Sequence, residues 1–324
     1  MPDDLHPQVR ALLDGLAALN LQKVQDMEVA AARAQAEAQA AARRQVYSAP
    51  EMAEVQETST GPGFGHVPVR IYRPTQAEAA PVIVYYHGGG HVICSLDTHD
   101  LLARHLAQAT GCTLVSVDYR MGPEHPFPAA VHDSFDAARW VAAQARALRV
   151  DADRLVVCGD SAGGNLAAVV ALMAQDASDF AVAAQVLIYP VTDYRGGTAS
   201  SRTYAKGYGA LEDDTMTWFM ERYLPDPARR DDWRACPRNA VLTSDLPPAL
   251  IVTAECDVLR DDGFDYANQL RTAGVPVRYV EYAGMIHGFV GLLGLVDDAA
   301  AAHETIATFL SETWASREGA EPGA

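Results

Sequence analysis

From Val67 onward the chain alternates two textures. Short runs rich in β-branched and aromatic residues are VPVRIYRP (67–74), PVIVYYH (81–87), CTLVSVDYR (112–120), RLVVCGD (154–160), AAQVLIYPV (183–191), PALIVTAECD (248–257) and VPVRYVEYA (275–283). Helical patterns lie at 98–110, 129–149, 162–176, 262–273 and 298–316. Near-continuous apolar strands alternating with helices predict an α/β fold: a mostly parallel central sheet flanked by helices. Ligands in such sheets bind beyond the carboxyl ends of the strands, so chemistry is expected there.

Two segments break the alternation. Residues 5–20 carry a weak apolar helical pattern, and 21–46 are rich in Ala, Gln, Glu and Arg, which favour helix. Helices of this kind need a surface to pack on. The stretch from Val191 to Pro248 is too long for a simple connection and holds its own helical pattern, LEDDTMTWFMERYL, with Asp213 or Asp214 near its start. Excursions of that length commonly serve as lids or binding loops. The expected organisation is an N-terminal helical cap segment, 1–46, and a main domain, 47–324, with a cap insertion at about 192–240.

Composition narrows the function classes. The 324 residues include 25 Lys and Arg against 42 Asp and Glu, a net charge of −17. That excess repels nucleic-acid phosphates and anionic lipid, so nucleic-acid binding is not expected. No apolar run reaches about 18 residues, so no stable membrane insertion is expected. The opening MPDDLHPQVR lacks a basic start and an apolar stretch, which leads us to expect a cytoplasmic protein. The five cysteines, Cys94, Cys112, Cys158, Cys236 and Cys256, show no CxxC spacing. Separate thiols are expected, with neither a metal site nor a disulfide framework.

Candidate chemistry begins at Gly159-Asp160-Ser161-Ala162-Gly163, which fits G-x-S-x-G between a strand and a helix. That is the context of a nucleophile elbow, where small neighbours relieve a strained serine. The following helix aims its N-terminal N–H groups at the site of developing negative charge. A tight turn with a capping serine is the plain alternative.

A serine hydroxyl needs a base. In the elbow arrangement an acid and then a histidine follow the serine along the chain. His287, in a glycine-flanked loop after the last strand, is favoured over His303, which is expected on a solvated helix face. Asp257, ending the strand PALIVTAECD, is the candidate acid, with Glu255 in reserve. Asp261 and Asp262 are expected to cap the next helix. After PVIVYYH comes His87-Gly88-Gly89-Gly90, whose unobstructed backbone N–H groups suit an oxyanion.

Together, HGGG (87–90), DYRMGPEHPFPAA (118–130), GDSAGG (159–164), ECDVLRDDG (255–263) and MIHGF (285–289) resemble the hormone-sensitive-lipase-like family of α/β-hydrolase esterases, over about residues 45–315. The resemblance implies Ser161 as nucleophile, His287 as base and Asp257 as its partner. It also implies oxyanion donors at the N–H groups of Gly89, Gly90 and Ala162, with His87 and Gly88 supporting the loop. Asp160 is expected to brace the elbow by a hydrogen bond. The implied enzyme is a serine carboxylesterase acting on small-molecule esters of short to medium acyl chains, without metal or organic cofactor. Aryl-formamides, lactones or acetylated sugars are alternative substrates of the same triad, and a non-catalytic receptor is a remote alternative. A homodimer through the last strand would suit the fold.

The sequence departs from the family at His91, where Phe or Trp is usual, and at Val258, where Pro is common. Arg120 and Glu124 are expected to pair with each other. Tyr204, Tyr208, Met216, Trp218, Phe219 and Met220 divide between an acyl pocket and the cap's own core.

Overall fold

The computed structural model describes residues 4–177, 179–209 and 211–318. Eight strands form one sheet: β1 (Glu54–Ser59), β2 (Pro68–Arg73), β3 (Ala80–Tyr86), β4 (Thr113–Val117), β5 (Val150–Asp160), β6 (Ala184–Ile188), β7 (Ala249–Cys256) and β8 (Val277–Ile286). Their order is β1-β2-β4-β3-β5-β6-β7-β8. β2 pairs antiparallel with both β1 and β4, and β3 through β8 all run parallel. The strands β3, β4 and β6 are buried along almost their whole length. This is why they read as continuous apolar runs: both faces are covered.

The flanking helices are α3 (Asp100–Thr110), α4 (Ala129–Ala143), α5 (Ala162–Asp176), α8 (Arg260–Thr272) and α9 (Asp297–Glu318). α4 stops six residues short of the expected end, and a series of turns leads into β5. β1 has no counterpart in the apolar pattern. Its sequence, EVQETS, is largely exposed at the sheet edge and pairs with β2.

The N-terminal segment forms α1 (Pro7–Ala18), a short 3₁₀ turn and α2 (Val29–Val46). The excursion after β6 holds α6 (Ala199–Thr203) and α7 (Asp213–Tyr223). Asp213 and Asp214 both sit in the first turn of α7, where carboxylates favour the helix dipole. The two segments meet: Lys23 pairs with Glu212 at 2.7 Å, and the Thr215 hydroxyl donates to Gln25 at 2.9 Å. All five cysteines are free thiols, four buried and Cys94 half-buried.

Candidate active site

The strand order makes the site. HGGG leaves the end of β3 and the serine leaves the end of its neighbour β5. Asp257 follows β7, and His287 follows the adjacent β8. Four distant pieces of sequence therefore reach one rim of the sheet.

Ser161 joins β5 to α5 with φ 56° and ψ −117°. Positive φ is strained for a residue with a Cβ, and the turn is held by its surroundings. The Ser161 N–H donates to the Ile188 carbonyl at 2.8 Å. A Cβ on Gly159 would stand 2.2 Å from the Gly163 carbonyl, and one on Gly163 would stand 1.8 Å from the Tyr86 carbonyl. Only glycine fits at either position.

The Ser161 Oγ lies 2.9 Å from His287 Nε2, and His287 Nδ1 lies 2.7 Å from Asp257 Oδ2. Asp257 also accepts the Leu259 N–H at 2.9 Å, which leaves one oxygen oriented at the imidazole. Because a carboxylate only accepts, Nδ1 carries the proton and Nε2 is free to accept from the serine. The Tyr189 ring packs against the imidazole at 4.7 Å between centroids.

The rival residues lie elsewhere. Glu255 accepts the Gly284 N–H at 2.7 Å and so stiffens the approach to His287. Asp261 and Asp262 do not cap α8, which has no side-chain cap. Asp261 accepts the Ser200 N–H at 2.8 Å, and Asp262 accepts the Thr192 and Asp193 N–H groups at 3.1 and 3.0 Å. Both reach across to the excursion, whose root offers unsatisfied backbone donors. Burial pushes the Asp262 carboxyl up to about 7. His303 is not on a solvated face: it is 3% exposed, with Nδ1 donating to the Ala299 carbonyl at 2.8 Å.

In the glycine loop almost every peptide is pinned. Tyr119 donates its hydroxyl to the His87 carbonyl at 2.6 Å. Gly88 N–H donates to Asp160 Oδ1 at 2.9 Å, and the Tyr85 hydroxyl donates to the same oxygen at 2.5 Å. His87 Nδ1 lies 2.7 Å from the Gly88 carbonyl, so it must be the protonated nitrogen. Val92 and Ile93 N–H groups both donate to the Gly89 carbonyl, at 3.0 and 2.9 Å.

Each carbonyl shares a planar trans peptide with the next N–H. Fixing the Gly88 and Gly89 oxygens therefore fixes the Gly89 and Gly90 N–H groups in the opposite direction. Among the described residues, neither N–H donates a hydrogen bond. Ala162 is the first residue of α5, so its N–H has no intrahelical acceptor.

Electrostatics keeps this loop uncharged on one side. Burial lowers the His87 imidazole to about 4, so it is neutral at pH 7. Burial works against the Asp160 charge too, but His99 and Tyr85 outweigh it and hold the carboxyl below its usual range. His91 is fully buried with its ring stacked on Tyr223 at 3.8 Å, and burial lowers it to about 3. The ring thus sits in an aromatic slot formed by Tyr119, Tyr194 and Tyr223.

Arg120 and Glu124 do not pair. Arg120 forks onto the buried Asp133 on α4, at 2.7 to 3.2 Å, because Asp133 comes within reach one turn into that helix. Glu124 instead receives Arg33 from α2, at 2.8 and 2.9 Å. Sequence reasoning missed Arg33, Tyr85, Tyr119 and His99. The tyrosines were hidden inside apolar strand runs.

The aromatic and Met residues of the excursion separate into two groups. Met216 and Met220 line a cavity of about 150 Å³ together with Tyr194, Val258 and Leu259. Phe219 covers Gly90, where a Cβ would fall 2.2 Å from its ring. Trp218 packs on Phe219 and under Arg222, and Tyr204 on Tyr208 and Arg260.

A family model described as alpha/beta hydrolase fold matches residues 83–291. The carboxylesterase NlhH of Mycobacterium tuberculosis is 39% identical over 308 residues, which is 92% of this chain and 93% of that protein. The chain belongs to the hormone-sensitive-lipase-like esterases. An ethyl acetate hydrolase of Pseudomonas putida is 43% identical over 240 residues, 72% of this chain and 75% of that one. The solved esterase of Pyrobaculum calidifontis superposes with a TM-score of 0.88 at 43% identity, covering 95% of this chain and 98% of that one. The esterase described here is accordingly a carboxylic ester hydrolase with the α/β-hydrolase fold.

Proposed function

We propose that the enzyme hydrolyses short- to medium-chain acyl esters through Ser161, His287 and Asp257, by way of an acyl-enzyme. The observation that carries this is the continuous hydrogen-bonded line from the Ser161 hydroxyl to a buried carboxylate, 2.9 and then 2.7 Å. As Ser161 attacks the ester carbonyl, His287 Nε2 takes its proton, and Asp257 stabilises the imidazolium through Nδ1–H. The tetrahedral oxyanion is received by the N–H groups of Gly89, Gly90 and Ala162. His287 then protonates the departing alcohol. A water molecule, giving its proton to the same nitrogen, attacks the acyl-enzyme and releases the acid.

The N-terminal helices and the insertion at about 192–240 form the cap in this reading. The cavity of about 150 Å³ beneath α7 is lined by Asp193, Arg195, Asp213 and Asp262 as well as by its methionines, so it is not assigned to the acyl chain. The similarity to an ethyl acetate hydrolase supports a small acyl group. A series of p-nitrophenyl esters from acetate to laurate tests it. Acetate to hexanoate should be fastest, with laurate about tenfold or more slower. Equal rates along the series would remove the short-chain assignment. Fluorophosphonate labelling at Ser161 tests the nucleophile itself. Labelling without ester turnover, but with formamide or lactone turnover, would redirect the substrate class.

A further inference from the structure

We propose that Arg33, on the N-terminal helix α2, is a positioning residue for the oxyanion loop, so that seating of that helix and the strength of the oxyanion hole are coupled. This rests on the reading of Gly89 and Gly90 N–H as oxyanion donors.

The Arg33 guanidinium uses four of its five N–H groups. Nε donates to the Val92 carbonyl at 2.8 Å and Nη2 to the Gly122 carbonyl at 2.9 Å. Nη1 and Nη2 fork onto the Glu124 carboxylate at 2.9 and 2.8 Å. The Gly122 N–H returns to the His91 carbonyl at 2.9 Å. Arg33 therefore closes a ring through residues 91–92 and 122. The Val92 carbonyl shares its planar peptide with the Ile93 N–H, and the His91 carbonyl with the Val92 N–H; these are the two donors that set the Gly89 carbonyl and with it the Gly90 N–H.

The two parts of the Arg33 contact are unequal. Glu124 is more than half exposed, so its ion pair is well screened and contributes little. Val92 is fully buried, and losing Nε strands its carbonyl away from water. The carbonyl bonds, and so the loop, should feel the loss of Arg33 more than the surface pair does. Lysine cannot replace a planar fork that serves two carbonyls and a carboxylate together.

The test compares affinity for a trifluoromethyl ketone with affinity for the matching secondary alcohol. The ketone adds the Ser161 oxygen, passes the serine proton to His287 and places a full oxyanion at the glycines. The alcohol fills the same pocket without one. Arg33→Ala should lower kcat and trifluoromethyl ketone affinity together, by about tenfold, with KM and alcohol affinity within about twofold of wild type. Glu124→Gln, which keeps both carbonyl bonds, should behave as wild type.

Ketone affinity unchanged in Arg33→Ala, or ketone and alcohol affinities falling in step, would overturn the proposal. If Arg33→Ala does not fold, Arg33→Lys, which keeps the charge and stem, decides by the same two affinities. A wild-type enzyme that fails to prefer the ketone would remove the oxyanion assignment as well. The Arg33 coupling alone fails when wild type shows that preference and the variant keeps it.

Discussion

Ser161 is held in a strained backbone by glycines that leave no space for anything larger, and its hydroxyl already points at an imidazole. Ser161→Ala should therefore lower kcat by about six orders of magnitude while the protein still folds, as read by steady-state turnover and circular dichroism. Turnover within about tenfold of wild type would take the serine out of the mechanism. Asp257→Asn should cost about 10⁴ in kcat, because an amide can present its NH₂ to Nδ1 and select the wrong tautomer. These three candidates were legible in the sequence because each stands just past the end of a strand, in the chain order serine, acid, histidine. Their supporting polar contacts were not legible, since Tyr85, Tyr119 and Arg33 act across the fold. His303 was legible and misread. Ala299, Ala302, His303, Ile306 and Leu310 form one buried stripe at helical spacing, and the alanines disguised it.

At the scale of elements, the sheet and the N-terminal segment contribute very differently to the core. Among buried apolar residues of the described chain, residues 4–46 supply Leu5, Val9, Leu13, Met27 and Ala32, and the sheet with its flanking helices supplies most of the rest. The segment nevertheless reaches the approach to His287, the glycine loop and the excursion. His6 N–H donates to the Gly284 carbonyl at 3.0 Å, Arg33 holds Val92, and Lys23 reaches Glu212. Deleting residues 1–40 should accordingly leave the far-ultraviolet spectrum of the sheet and helices nearly intact. It should lower kcat/KM by tenfold or more and change the chain-length preference. Unchanged kinetics with every ester in the series would reduce these helices to surface decoration. The alternating core elements were visible in the apolar periodicity. β1 was not, because an exposed edge strand pairs through its backbone and needs no apolar side chains.

For the whole molecule, buried ionisable groups set how stability depends on pH. His87 and His303 are lowered to about 4 and His91 to about 3, in each case chiefly by burial. Unfolding returns each to about 6.5. Between pH 6.5 and 4 the unfolded chain thus binds about three more protons than the native one at these sites, and stability is lost as pH falls through that window. His105, also lowered by burial, adds in the same direction. Asp262 opposes them. Raised to about 7 by burial, it stays protonated in the native state while the unfolded carboxyl ionises near 3.9, so its contribution is lost as pH rises towards 7. The three histidines outweigh the single aspartate by about two protons near pH 5, a slope of roughly 3 kcal/mol per pH unit. Urea unfolding at stepped pH should show stability climbing steeply from pH 4 to 6 and levelling near 6.5. His303→Gln should flatten that slope by close to one proton whatever it does to stability at neutral pH. A slope unchanged by this substitution would mean that the imidazole at 303 already titrates normally in the folded enzyme.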